Sequence, residues 1–257
     1  MQTVMPRVKA GSLLLLGTMF LSLALAACGS SATAANNPPP KPTNTLAPTA
    51  TATSTPVPAK PTPTLPPGSS ANLIVNPGAE NGAADPDGGT PVTTIPGWTI
   101  AGGEFDVVQY QASSGNYPAV TDPGPTDRGK NFFCGGPSDD VSTATQTIDV
   151  SKDALKLDTG LVGYVLSGWL GGFSDQDDNA ALSIQFEDAS GKALGKAQIG
   201  PVLAADRNNV TGFLSRTTTG KAPKGTRKIV VTLTMTRVSG SANDGYADNL
   251  SLTLQGL

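Results

Sequence analysis

From about residue 72 onward, apolar and polar residues alternate in short runs, and Gly, Pro, Asn or Asp falls between the runs. An alternation with period two is the mark of a strand buried on one face. The clearest case is residues 228–237, where Ile229, Val231, Leu233 and Met235 share one face and Val230, Thr232, Thr234 and Thr236 share the other. Similar runs are "NLIV", "GWTIA", "EFDVVQY", "KNFFCG", "TATQTIDV", "GYVLSGWLGG", "AALSIQFEDA", "LGKAQIG", "TGFLSRTT" and "NLSLTL". "EDASGKALG" has the punctuation of a hairpin turning at Ser190-Gly191. No stretch repeats its apolar positions at convincing helical spacing, and only "VSKDALKLDTG" suits a short helical turn. About ten strands with turn signals at this spacing predict an all-β fold, an antiparallel sandwich or barrel. One run poses a question. In "NDGYADNLSLTL", Leu250, Leu252 and Leu254 alternate, and extending the alternation backwards puts Tyr246 and Asp248 on their face. A carboxylate is thereby aimed at the core, where an unpaired charge is costly.

The first seventy residues have a different character. Arg7 and Lys9 precede an apolar run, "SLLLLGTMFLSLALA", that is too short and too abruptly ended for a membrane span. The run closes on "LAAC", which resembles the lipobox of bacterial lipoproteins. That resemblance implies a signal peptide over residues 1–27, cleavage before Cys28 and acyl chains on Cys28, enough for a stable anchor. The expected location is a membrane, with the chain facing away from the cytoplasm. Eleven of the twenty-two prolines then fall between Pro38 and Pro67, among Thr, Ala and Ser. Such a composition cannot bury a core and predicts a disordered linker over residues 28–70. Extended at about 3.1 Å per residue, it reaches on the order of 100 Å. The folded domain is expected over residues 71–257.

Charge and cysteine content narrow the chemistry. All twenty acidic residues follow residue 79, against thirteen Lys and Arg there, so the domain is net negative and no nucleic-acid partner is expected. With Cys28 lipidated, Cys134 has no partner for a disulfide, and its neighbours Phe132 and Phe133 suggest a buried thiol. The chain contains no histidine, which disfavours Ser and Cys nucleophiles and a zinc site. "EFDVVQ" resembles the Glu-x-Asp-x-x-Glu signature of some jelly-roll glucanases, but its last position is Gln109, which cannot serve as acid and base. No enzyme activity is expected.

The ends of the folded region resemble bacterial jelly-roll carbohydrate-binding modules, of galactose-binding-like architecture. "NLIVNPGAENG" is similar to their opening strand and loop, "IPGWTI" to the Gly-Trp after it, and "GYADNLSL" to their closing strand. Ala79 stands where the family usually has an aromatic residue. The resemblance implies a jelly-roll sandwich and a structural calcium ion shared by Glu80 and Asp248, with Asn76 and Asn81 as further oxygen donors. A second reading of Asp248 is that it caps a turn or accepts N–H bonds at the sheet edge. The family resemblance also implies glycan binding. Trp169 is the candidate platform, and Gln176, Asp177 and Arg207 are candidate hydrogen-bonding partners. Two arrangements satisfy the pattern around Trp169: an exposed ring on the sheet face, or a ring buried in a strand covered on both sides. The first favours a surface-anchored glycan-binding domain. The second favours an adhesion or scaffold domain that contacts a protein.

Overall fold

The computed structural model of the protein describes residues 68–114 and 116–257. The expected signal peptide, Cys28 and nearly all of the expected linker lie outside these residues. The remainder is an antiparallel β-sandwich of jelly-roll type. One sheet has the order β1-β4-β9-β6-β7, with β1 Thr99–Gly102, β4 Val141–Asp149, β9 Lys228–Thr236, β6 Asn179–Glu187 and β7 Ala193–Ile199. The other has the order β2-β3-β10-β5-β8, with β2 Asp106–Gln109, β3 Asn131–Cys134, β10 Tyr246–Gln255, β5 Gly163–Gly172 and β8 Gly212–Lys221. The expected helical turn forms, as a 3-10 turn at Ser151–Asp153 running into α1 Ala154–Leu157.

Alternation builds the first sheet. Ile229, Val231, Leu233 and Met235 of β9 and Ala180, Leu182, Ile184 and Phe186 of β6 all point into the inter-sheet core. Each is 2% exposed or less. At full burial, a side chain of this size contributes about 1.5–3 kcal/mol. The β6–β7 hairpin turns where the sequence suggests, with Gly191 at φ +87°. The Asp188 carboxylate closes the turn by accepting the Ser190 and Lys192 N–H groups.

The second sheet departs from simple alternation in β10, and this corrects the expectation for Asp248. The pairing of β10 with β5 slips between Asp248 and Ser251, and Asn249 takes a left-handed conformation, φ +46°. The extra residue is a β-bulge, which flips facing on either side of it. Leu250, Leu252 and Leu254 do face the inter-sheet core. Tyr246 instead packs with Val108, Tyr110, Phe132, Cys134 and Phe213 in a second cluster on the outer side of the sheet. Asp248, which shares the facing of Tyr246, reaches the Tyr110 hydroxyl of that outer layer. Its carboxylate is thus buried, but against a roof rather than in the core.

The roof is formed by residues 111–114 and 116–130. Arg128 organises it, donating to the carbonyls of Ala119, Asp122 and Pro125 while its guanidinium lies 5.1 Å from the centroid of the Tyr110 ring.

"NLIV" is the one expected strand that does not form. Asn72 spends its side chain on the β10 backbone, donating to the Leu250 carbonyl and accepting from the Leu252 N–H. Val75 pairs with the Gln146 amide in place of a ladder partner. Gly68 and Ser70, expected in the linker, already hydrogen-bond to the end of the chain: the Gly256 N–H donates to the Gly68 carbonyl and the Ser70 N–H to the Leu254 carbonyl.

Candidate functional site

At one end of the sandwich, the loops 85–92, 173–178 and 238–244 meet the roof around an open pocket of about 390 Å³. Asp87, Tyr117, Phe173, Gln176, Ser241 and Asp244 supply its chemistry. Each wall is fixed by a buried acid or a glycine. Asp85 accepts the N–H groups of Asp87, Gly88 and Thr90, which wraps the first loop around its carboxylate. Burial alone would raise the Asp85 pKa, but these N–H bonds overcome it and hold the carboxylate below its usual range. The Tyr117 hydroxyl donates to the Gly88 carbonyl at 3.0 Å. Gly88 has φ +77°, and a Cβ there would lie 2.1 Å from the Tyr117 ring, so only glycine permits the ring to lie against the loop. Asp178 ties down the third loop by accepting the N–H groups of Val238, Ser239 and Asp244.

The pocket is rich in acceptors. Burial raises the pKa of Asp244, and the charge on Asp178 adds to the rise, while the Tyr246 hydroxyl bonded to it at 2.8 Å opposes it. The Gln176 side-chain oxygen is buried without a donor. Below the pocket, burial raises the Tyr117 hydroxyl pKa, with Cys134, Asp244, Asp106 and Asp85 contributing.

The four residues expected to form a glycan site are not gathered in one pocket, although Arg207 donates to the Gln176 carbonyl. Trp169 is half-buried on the outer face of β5 and lines a separate groove of about 550 Å³ with Asn72, Asp127, Ser167, Asn249 and Ser251. It is therefore neither the freely exposed platform nor the core ring expected from alternation. Gln176 lines the end pocket. Asp177 is exposed, yet its carboxylate accepts the Ala204 N–H at 3.1 Å. Arg207 corrects its expected role: it is 3% exposed, and its guanidinium donates to the carbonyls of Ser174, Gln176 and Val210. It positions the loop behind Phe173 and has no free face for a sugar. Tyr117 and Phe173, which carry the pocket, lie in segments without periodicity and were not singled out by the sequence.

The expected calcium ligands are partly together. A Cβ on Gly78 would sit 3.1 Å from Asn249 Oδ1, 3.2 Å from Asp248 Oδ1 and 3.9 Å from Glu80 Cγ. Two side-chain oxygens, from Asp248 and Asn249, therefore lie together beside Gly78, whereas Glu80 approaches it through its Cγ and turns its carboxylate towards Gly129. Glu80 is oriented by the N–H groups of Lys130 and Asn131. Burial pushes the Asp248 pKa up to about 8, and the Glu80 charge adds to it; the Tyr110 hydroxyl and Asn249 N–H bonds work against the rise. Asn76 is turned away, and this corrects its expected role. Its amide is closed in a turn, accepting the Asn81 N–H and donating to the Asn81 and Pro96 carbonyls. Asn81 is exposed and contributes only backbone to that turn. Asn249, whose Oδ1 lies beside Gly78 together with Asp248 Oδ1, was not singled out by the sequence. Among the described residues, no group of three or more His, Cys, Asp or Glu side chains could hold a metal ion. A cation here would depend on amide and backbone oxygens as well as on carboxylates.

Asp106 is fully buried, and Glu104 is bonded to the Ser138 hydroxyl.

No family model matches the sequence, and no curated protein does. Several solved structures are similar to it. One is the enzymatically active domain of tailspike protein 4 from bacteriophage CBA120, 16% identical over 70% of this chain, with a TM-score of 0.40. The match spans only 21% of the tailspike chain. Another is a family 16 carbohydrate-binding module, 19% identical over 70% of this chain and 99% of that one, with a TM-score of 0.43. A third is an apo-form cyclase from Fischerella sp., 16% identical over 73% of this chain and 97% of that one, with a TM-score of 0.46. These are likenesses of fold, so the chemistry of the site has to be read from its own residues.

Asp106 supplies a test of the charge buried beneath the roof. One carboxylate oxygen accepts the Val92 and Val107 N–H groups, and the other is buried without a donor. Burial raises its pKa to about 6. A raised acid is better protonated in the folded than in the unfolded chain, so its contribution to stability falls as pH rises from about 4 to about 6. Asp106→Asn keeps the accepting oxygen and removes the charge. The variant is expected to be more stable than wild type by roughly 1–3 kcal/mol at pH 7, with the advantage disappearing near pH 4, as read by urea unfolding. An equal effect at both pH values would contradict this account.

Proposed function

We propose that this domain binds a glycan without cleaving it, in the pocket at the loop end of the sandwich. The observation that carries this reading is the pairing of two aromatic rings, Tyr117 and Phe173, with several polar groups in one open pocket. A sugar has apolar faces edged by hydroxyls. Rings meet the faces, and the Asp, Gln and Ser groups meet the hydroxyls. Trp169 and its groove offer a second, shallower platform. Titration of the protein with a panel of polysaccharides, followed by calorimetry, tests the reading. At least one is expected to bind with no release of sugars, and Tyr117→Ala is expected to weaken it about 5- to 30-fold, the range of an aromatic hot spot. Binding unaffected by Tyr117→Ala but lost in Trp169→Ala would move the site to the groove. A flat response across the panel would favour a protein-contacting domain.

The reading includes a lipid anchor at Cys28, supported by "LAAC" after the apolar run. The anchor and linker together would present the pocket at a distance from the membrane. Cys28→Ala is expected to leave the membrane fraction or to persist as an uncleaved precursor. Fractionation and mass identical to wild type would contradict it.

It also includes a structural calcium ion held by Glu80 and Asp248, with Asn249 as a further donor. Calcium would neutralise two carboxylates that otherwise repel each other beside the roof. Chelation is expected to lower the thermal midpoint and added calcium to restore it, since a ligand specific for the folded state stabilises by mass action. Asp248→Ala is expected to abolish the response. A midpoint indifferent to chelator would leave Asp248 as a buried acceptor for Tyr110.

A further inference from the structure

The end pocket is unusual in its balance of charge and hydrogen-bonding groups. Asp87 and Asp244 line it, and among the described residues of the lining there is no Lys or Arg. Behind it, the charges of Asp85 and Asp106 both bear on the Tyr117 hydroxyl. The neighbouring cations are already committed. Arg207 is spent on three backbone carbonyls, and Arg237 pairs with Asp140 while donating to the carbonyls of Gly240 and Ser241. The Gln176 oxygen is buried with no donor, and Gln176 is packed beside Gly240, where a Cβ would come within 3.3 Å of its amide nitrogen. The pocket therefore presents two carboxylates that have no ion-pair partner among the described residues, next to two aromatic rings and above a buried amide oxygen that lacks a donor.

We infer that this pocket selects a sugar carrying a protonated amino group, a 2-amino-2-deoxyhexose unit in its deacetylated form. The inference rests on the glycan reading above and narrows it. An ammonium offers three donors and no acceptor, which complements a lining rich in acceptors. A cation is also attracted to the faces of Tyr and Phe rings, and more strongly where water is excluded. A uronic acid or sulfated sugar would bring like charge against Asp87 and Asp244. N-acetylation would remove the charge and replace three donors with one. A metal ion is the poorer occupant, because the described lining offers it two carboxylates, Asp87 and Asp244, and two aromatic rings.

Calorimetry with four oligosaccharides of equal length tests this at about pH 6: a β-linked glucosamine oligomer, its N-acetylated counterpart, a neutral glucan and an oligogalacturonate. The glucosamine oligomer is expected to bind the protein at least about tenfold more tightly than each of the others. Asp87→Asn, a surface change, and Asp244→Asn are each expected to shrink that preference to about threefold or less. Tyr117→Ala is expected to weaken every oligomer that binds. Equal or tighter binding of the neutral or acidic oligomer, still sensitive to Tyr117→Ala, would overturn the amino-sugar inference and leave the glycan reading standing. A glucosamine preference that survives Tyr117→Ala and Asp87→Asn would also overturn it, since it would then reflect diffuse attraction to an acidic domain. Binding of none of the four would overturn this inference; failure of the wider polysaccharide panel as well would overturn the glycan reading.

Discussion

A single inserted residue, Asn249, sets up the face on which everything else in this domain is built. Its left-handed backbone turns Asp248 and Tyr246 away from the core while leaving the three leucines after it pointing inward. A sheet whose outer face carries Tyr110, Phe132, Phe213 and Tyr246 cannot be left in water, and the roof from residue 111 to 130 covers it. The hydrogen bond from Tyr110 to Asp248, at 2.7 Å, joins the end of β2 to β10 beneath that roof. The roof in turn delivers Tyr117 to the end of the sandwich, where it becomes a wall of the pocket. Asp85, Asp178 and Arg207 then fix the other loops through backbone hydrogen bonds. The pocket is thus assembled from irregular loops, but each loop is held by a buried charged side chain whose bonds are mostly spent on the backbone.

That economy explains the acidity of the site. Asp85, Asp106, Asp178 and Asp244 are recruited first as acceptors for backbone N–H or tyrosine hydroxyl groups. Their charges accumulate at one end of the molecule as a consequence. Burial raises the pKa of Asp106 to about 6 and that of Asp244 from its ordinary value, the sign of negative charge held at an energetic cost. A cationic ligand would offset part of that cost.

The sequence made the sheets legible because burial on one face imposes period two, and β4, β5, β6, β8 and β9 follow it over most of their length. It failed where one residue changes the period. Extrapolating the leucines of β10 backwards assumed an unbroken strand, and nothing in "ADNLS" beyond the Asn itself signals a bulge. "NLIV" has the composition of a strand, but its Asn and the distant Gln146 replaced ladder bonds by side-chain bonds. Glu80 and Asp248 were singled out because each lies in a motif at an end of the domain. Tyr117 and Phe173 were not, because a ring in an aperiodic loop has no sequence signature until the fold places it. Arg207 was misjudged for the reverse reason: its charge suggested solvent, and only the structure shows three carbonyls around it.

The central claim is that ligand chemistry resides at the loop end, against Tyr117 and Phe173, and not on the flat face beside Trp169. The most direct measurement is a crystal structure of the protein with the tightest-binding oligosaccharide. The account predicts a sugar ring packed against Tyr117 or Phe173, with polar contacts to Gln176 and to Asp87 or Asp244. A sugar seated in the Trp169 groove, with the end pocket holding only solvent, would contradict it.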